Sequence, residues 1–212
     1  MNPLNQRILI CGVGGHGIVR LGHALVREAV RAFPHVSLAE NKGLSQRGGA
    51  VSLLITMGNS PVTPSVQDAP VDILLSTDLL ETCRHIPRVN FNGWVVTHSE
   101  FVTPGYLSST YTDDDLNEQI NGQINALPKK IILNMAPCDA PNGHRRVSLN
   151  AGLLGASCLV MEINPNHWLD LFQLGLTRDE QDINQILFEK CKDEAHRQIQ
   201  QIEDDGLGLN AT

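Results

Sequence analysis

A three-layer α/β fold is predicted for this 212-residue chain: a mixed, mostly parallel sheet between helices, followed by a helical C-terminal tail. Three observations predict it. A glycine-rich turn separates a short apolar run from an amphipathic stretch. Further short apolar runs follow at intervals that suit strands. From Arg178 onward, apolar residues recur at helical spacing among charges.

The first element is Arg7-Ile8-Leu9-Ile10-Cys11, a continuous apolar run that reads as a strand buried on both faces. Gly12, Gly14 and Gly17 follow at G-x-G-x-x-G spacing, with Gly15 and His16 between them. Ile18, Leu21, Leu25, Ala29 and Val30 then recur near helical period, so the glycines lie between a strand and a helix starting near residue 17. That is the context of a Rossmann-like phosphate-binding turn. The first glycine permits the tight turn, the second lets a ligand approach, and unpaired N–H groups at the helix start favour an anion. Glycines that only shape the turn would give the same pattern.

A second strand is expected over 35–40, ending in Glu40, and a third over 50–57. By spacing alone, Glu40 could hold the ribose of a nicotinamide cofactor. The intervening Asn41-Lys42-Gly43-Leu44-Ser45-Gln46-Arg47-Gly48-Gly49 is too short for a crossover helix, so these two strands are expected to be antiparallel. Gly43, Ser45, Gln46, Arg47, Gly48 and Gly49 suit a loop that faces a partner or an anion, with Arg47 as its fixed positive charge. Strands are further expected over 71–75, 93–98 and 130–134, and helices over 78–85 and 148–161. Residues 59–64 and 137–143 read as turns. The tail places Ile183, Ile186, Leu187, Cys191, Ala195, Ile199 and Ile202 on a helix, and 204–208 reads as a frayed end. The expected division is an α/β domain over 1–175 and a helix and tail over 176–212.

Composition narrows the function. A net charge of −7 and 4% aromatic residues argue against a nucleic-acid partner. No apolar run approaches a membrane span, and the amino terminus lacks a signal-peptide layout, so the expected location is the cytoplasm without membrane attachment. Cys11, Cys83, Cys138, Cys158 and Cys191 are scattered without a C-x-x-C pair, unlike the ligands of an iron–sulfur cluster or structural zinc. No metal site and no catalytic residue are expected on this chain.

The two glycine segments, residues 12–17 and 43–49 with Glu40 just ahead of the second, resemble the gamma-type subunit of 2-oxoacid:ferredoxin oxidoreductases, in particular the small (beta) subunits of the indolepyruvate type. The block 69–84 and the later Asn150 with Leu153-Leu154-Gly155-Ala156 fit the same family, so the likeness runs from about residue 7 to residue 160. His16 departs from it, standing where the family usually has glutamine, and residues 99–127, with Asp113-Asp114-Asp115, match nothing in it. The resemblance implies a subunit that holds no cofactor and is inactive alone. Thiamine diphosphate, Mg and [4Fe–4S] clusters would belong to a larger partner subunit. Ferredoxin would accept the electrons of the complex, and CoA would be co-substrate in the oxidative decarboxylation of an arylpyruvate. Gly12, Gly14, Gly15, His16, Gly17 and Glu40 are then the candidates for contact with CoA or a nucleotide phosphate. A free-standing NAD(P)-dependent enzyme and a non-catalytic nucleotide-binding interaction module are the alternatives.

Overall fold

The computed structural model describes residues 5–42, 49–63, 69–101, 113–134, 145–161 and 168–209. Its sheet is built from β1 (Asn5–Val13), β2 (His35–Lys42), β3 (Ala50–Gly58), β4 (Val71–Ser76), β5 (Val89–His98) and β6 (Lys130–Leu133). The helices are α1 (Ile18–Ala32), α2 (Leu79–His85), α3 (Asp113–Asn125), α4 (Arg145–Ser157), α5 (Trp168–Gln173) and α6 (Arg178–Leu209).

The strand order is β2-β3-β1-β4-β5-β6. β1, β4, β5 and β6 pair in parallel, whereas β3 runs antiparallel to both of its neighbours. The sheet is therefore mixed, as the missing crossover between β2 and β3 requires. β3 does not sit outside β2. It enters between β2 and β1 and pairs along the whole of β1, from Asn5↔Gly58 to Val13↔Ala50.

The central strands are buried on both faces, which is why β1, β3 and β4 read as largely unbroken apolar runs. Ile8 and Ile10 point to one face, where they meet Ile18, Leu21 and Leu25 of α1 and the residues of α4 and α6. Leu9 and Cys11 point to the other face with Leu54, Leu74 and Val95. α2 and α3 cover part of that second side through Leu79, Leu116, Ile120 and Ile124, with Ile132 of β6 packed against them. α6 lies on α4. Its Phe188, Cys191 and Ala195 join the largest core cluster, and Gln198 exchanges hydrogen bonds with the backbone of Ile132 on β6, at 2.9 Å each way.

Several expectations need correction. Val30 is 58% exposed, because one residue beyond Ala29 the helix has turned about 100° away from the core. Residues 113–125, which read as no element, form α3, with Asp113, Asp114 and Asp115 at the helix end that favours negative charge. α5 was likewise not foreseen. α6 continues through 204–208 to Leu209, since each residue added to a formed helix gains a hydrogen bond. The turn expected over 137–143 lies outside the described residues.

Candidate functional site

The two glycine segments meet. Gly14 donates its N–H to the carbonyl of Gly49 at 2.7 Å, just beyond the last β1–β3 pair. The end of one segment thus braces the turn of the other, and this contact depends on β3 lying beside β1. Gly43, Ser45, Gln46, Arg47 and Gly48 lie outside the described residues.

The glycines of the first segment differ in what they do. A Cβ on Gly12 would overlap Thr77 Oγ1 and lie 2.8 Å from Ile18 Cδ1, so this position allows β1 and α1 to close on the residue after β4. Gly15 and Gly17 have φ of 94° and 78°, in the left-handed region that side chains disfavour. Gly17 is the N-cap of α1, and a Cβ there would sit 2.7 Å from Asn150 Nδ2. Asn150 donates to the His16 carbonyl at 2.6 Å, pinning the turn to α4.

In front of this turn lies an open groove of about 570 Å³, lined by Val13, Gly14, Gly15, Gly17, Ile18, Val19, Arg20, His23 and Val51. The first intrahelical bond of α1 runs from Leu21 N–H to Gly17 O, which leaves the N–H groups of Ile18 and Val19 without an intrahelical acceptor. The first turn carries no acidic residue. It carries Arg20, whose guanidinium donates to the Leu174 carbonyl at 2.6 Å. A helix start whose N–H groups have no intrahelical acceptor, with a basic residue and no carboxylate, suits an anion.

Glu40 is placed differently from a ribose-binding acid. In a dinucleotide fold the acid-bearing strand lies next to β1. Here β3 intervenes and puts β2 two strand spacings from β1, roughly 9–10 Å. The Glu40 carboxylate meets His23 Nε2 at 3.1 Å, at the groove's side.

His16 does not line the groove. Its Nδ1 approaches Thr77 Oγ1 at 3.4 Å, and the ring borders a separate, smaller cavity of about 60 Å³ at the carboxyl ends of β1, β4, β5 and β6. His98, the last residue of β5, lines this cavity, and Asn150 holds the carbonyl of His16, another of its lining residues. Sequence reading singled out neither residue for the site. His98 is a lone histidine closing an apolar strand, and Asn150 carries no signal beyond its family resemblance.

The cysteines that the structure describes do not fit a cluster. Cys11 lies on β1, Cys83 on α2, Cys158 just past α4 and Cys191 on α6, all as free thiols. Burial pushes Cys11 and Cys158 up to about 12 and Cys83 up to about 11, away from thiolate chemistry. Among the described residues, no group of three or more His, Cys, Asp or Glu side chains could hold a metal ion. No described helix is long and apolar enough to cross a membrane.

Comparison with known proteins agrees with this architecture. The chain is 30% identical over 103 residues to the indolepyruvate oxidoreductase subunit IorB of Methanothermobacter thermautotrophicus, covering 48% of this chain and 51% of that protein. With the subunit of the same name from Pyrococcus horikoshii it shares 25% identity over 192 residues, covering 86% of this chain and 92% of the relative. The aligned stretch thus spans about half of the first relative and most of the second. Among solved structures, a pyruvate oxidoreductase subunit from Thermotoga maritima superposes with a TM-score of 0.62 at 16% identity, over 90% of this chain and 97% of that one. A keto/oxoacid ferredoxin oxidoreductase gamma subunit from Geobacter sulfurreducens gives 0.58 at 16% identity, over 91% and 97%. The 2-oxoglutarate:ferredoxin oxidoreductase of Magnetococcus marinus, solved with 2-oxoglutarate, coenzyme A and succinyl-CoA bound, gives 0.61 at 16% identity, over 92% of this chain but only 32% of that one. At this identity these likenesses speak for the fold. The profile of the pyruvate ferredoxin/flavodoxin oxidoreductase family matches residues 7–185, most of the length, and the chain belongs to that family.

Proposed function

We propose that this chain is the small, cofactor-free subunit of a 2-oxoacid:ferredoxin oxidoreductase of the indolepyruvate type, inactive alone and working in the cytoplasm. A larger partner carries thiamine diphosphate, Mg and the [4Fe–4S] clusters, which supply the decarboxylation and the single-electron transfers to ferredoxin. This chain contributes assembly surface and a binding face for CoA. The observation that carries the reading is the bond from Gly14 to Gly49, which ties the end of the second glycine segment to the first glycine turn, beside an open groove.

CoA bears a pyrophosphate and a 3′-phosphate, and the groove offers what such groups need. The N–H of Gly14 is engaged with Gly49, so the donors available to a phosphate are those of the helix start, Ile18 and Val19, with Arg20 beside them. Arg47, two residues before Gly49 in the sequence, is the positive charge that the segment would bring to the ligand or partner. Its planar fork would grip a phosphate or a partner carboxylate through two bonds.

The nicotinamide alternative is disfavoured by the order of the strands. Glu40 is held by His23 and separated from the glycine turn by β3.

Co-expression with a large thiamine- and cluster-binding subunit of the same family tests the proposal. The expected result is a brown complex that reduces ferredoxin with indolepyruvate and CoA, while this chain alone is colourless and inert. Arg47→Ala is expected to weaken assembly or raise the KM for CoA about tenfold, the usual scale for one charge-assisted contact. Nicotinamide-linked turnover by the isolated chain would overturn the proposal.

A further inference from the structure

The parallel pairing of β4 with β5 is broken once. Val71 stands opposite Val89, but the next paired residue of β4, Ile73, stands opposite Trp94. Asp72 therefore faces four residues, and the three surplus ones, Asn90, Phe91 and Asn92, are extruded from the ladder as a bulge. All three are exposed, and Phe91 is 90% so, more than any other large apolar residue described.

The bulge is held from both sides. Asp72 accepts from Asn90 Nδ2 at 2.6 Å through one carboxylate oxygen and from the Arg7 backbone N–H at 2.8 Å through the other. On the β6 side, the Lys129 ammonium donates to the Asn92 carbonyl at 3.4 Å and lies 5.7 Å from the centre of the Trp94 ring, a cation–π contact. Gly93 closes the base: a Cβ there would come within 2.7 Å of Val89 Cγ1 and 3.0 Å of the Asn90 and Asp72 carbonyls. A loose loop that only exposed a ring would need none of these braces. An aromatic side chain offered to water on a braced backbone loses little freedom on docking, which is what an interface anchor requires. The charge around it sets the chemistry of the partner. In a chain of net charge −7, the described charged side chains at the amino ends of β1, β4, β5 and β6 are Arg7, Arg88, Lys129 and Lys130, with Asp72 the single carboxylate and already bonded twice.

We propose that Phe91 is the anchor of a protein-docking surface at this end of the sheet, and that its occupant is the large subunit of the complex, through an apolar socket edged by carboxylates. The basic rim steers and orients such a surface, and the ring supplies the buried contact. This assignment rests on the assembly reading above and not on the CoA reading. The glycine turn follows the carboxyl end of β1, roughly 20 Å of strand away, so the docking surface is separate from the groove.

The test titrates the purified full chain against a large thiamine- and cluster-binding subunit of the same family, at low and high sodium chloride. Phe91→Ser is expected to leave the Tm of the isolated chain unchanged and to weaken binding about thirtyfold or more, the scale of an interface anchor, chiefly through faster dissociation. Deleting residues 90–92 sets Gly93 opposite Asp72 and restores an unbroken ladder, so that variant is expected to fold and to bind as weakly as Phe91→Ser. Added salt is expected to slow association of the wild-type chain. If the wild-type chain binds and Phe91→Ser or the deletion binds as tightly, the anchor is overturned while the assembly reading stands. If the wild-type chain does not bind, both fall. Association indifferent to salt would overturn the carboxylate-edged socket. Sedimentation showing a Phe91-dependent dimer of the isolated chain would overturn the choice of partner in favour of a second copy.

Discussion

Acid should destabilise this protein through a single buried ring. His98 is pushed from 6.5 down to about 4, first by burial, with the nearby His16 adding to the effect and the Leu149 and Leu133 carbonyls opposing it. The folded chain therefore binds the His98 proton less readily than the unfolded chain does. Its contribution to stability is complete above about pH 6.5 and is lost progressively as pH falls towards about 4. The gap between those values corresponds to about 3 kcal/mol, lost at up to about 1.4 kcal/mol per pH unit inside the window. Urea unfolding at a series of pH values measures it, with His98→Phe as reference. Other groups titrate in the same range: His85 is lowered by burial and by Arg88 and Arg84, Glu194 is lowered by Gln198 and Arg197, and Glu81 is raised by burial. Asp78, Glu100 and His16 border the ring's cavity. Groups that do not act on the ring are common to both proteins and cancel in the difference between wild type and variant, whereas the influence of His16 on the ring is part of the effect measured. That difference should be flat above neutrality and shrink by about 3 kcal/mol on the acid side. A difference that stays level down to about pH 4 would show that His98 is not held neutral.

Three further substitutions probe the frame around the site. Gly17→Ala forces a side chain into the left-handed region at φ 78° and against Asn150, and thermal unfolding should show a loss of about 1–2 kcal/mol or more; an unchanged Tm would mean the turn can relax. Gly155→Ala drives a methyl group into the Phe188 carbonyl where α4 and α6 touch, so denaturant unfolding should register about 1–3 kcal/mol of overpacking, and a neutral result would show the two helices to be looser than described. Gly15→Ala, at φ 94°, should lower stability by about 1 kcal/mol through strain, so the ligand question rests on the folded complex: a raised KM for CoA supports backbone contact at this turn, and an unchanged KM restricts the glycine to shaping it.

Most of the sheet was legible because burial on both faces leaves unbroken apolar runs such as Ile8-Leu9-Ile10 and Ile73-Leu74-Leu75. α1 was legible from its glycine start and its apolar period. α3 was hidden by composition: Leu116, Ile120 and Ile124 recur every four residues, but the polar residues between them mask the stripe. The position of β3 could not be read at all. A short connection after β2 predicts an antiparallel neighbour, but pairing with β1 is fixed by contacts more than forty residues apart in sequence, such as Ile8 with Ile55. The cavity was illegible for the same reason. Nothing local to His98 reveals that its ring will meet the Leu149 carbonyl, fifty-one residues away.

The insertion of β3 brings Gly49, the end of the second glycine segment, against the turn of the first, some thirty residues earlier in the sequence. β2 ends at Lys42, opposite Val51, and β3 begins beside the end of β1. Both ends of the Gly43–Gly48 segment are thereby fixed: Lys42 pairs with Val51, which lines the groove, and Gly49 binds Gly14 of the turn. A strand order with β2 beside β1 would have brought Glu40 to the turn, and with it a carboxylate suited to ribose hydroxyls. The observed order brings the ends of a segment carrying Arg47 instead and leaves Glu40 to His23. Arg20 already stands at the start of α1, so the groove is provisioned with positive charge and helix N–H groups. The proposed contact with CoA rests on that balance of charge, and the balance follows from one strand's place in the sheet.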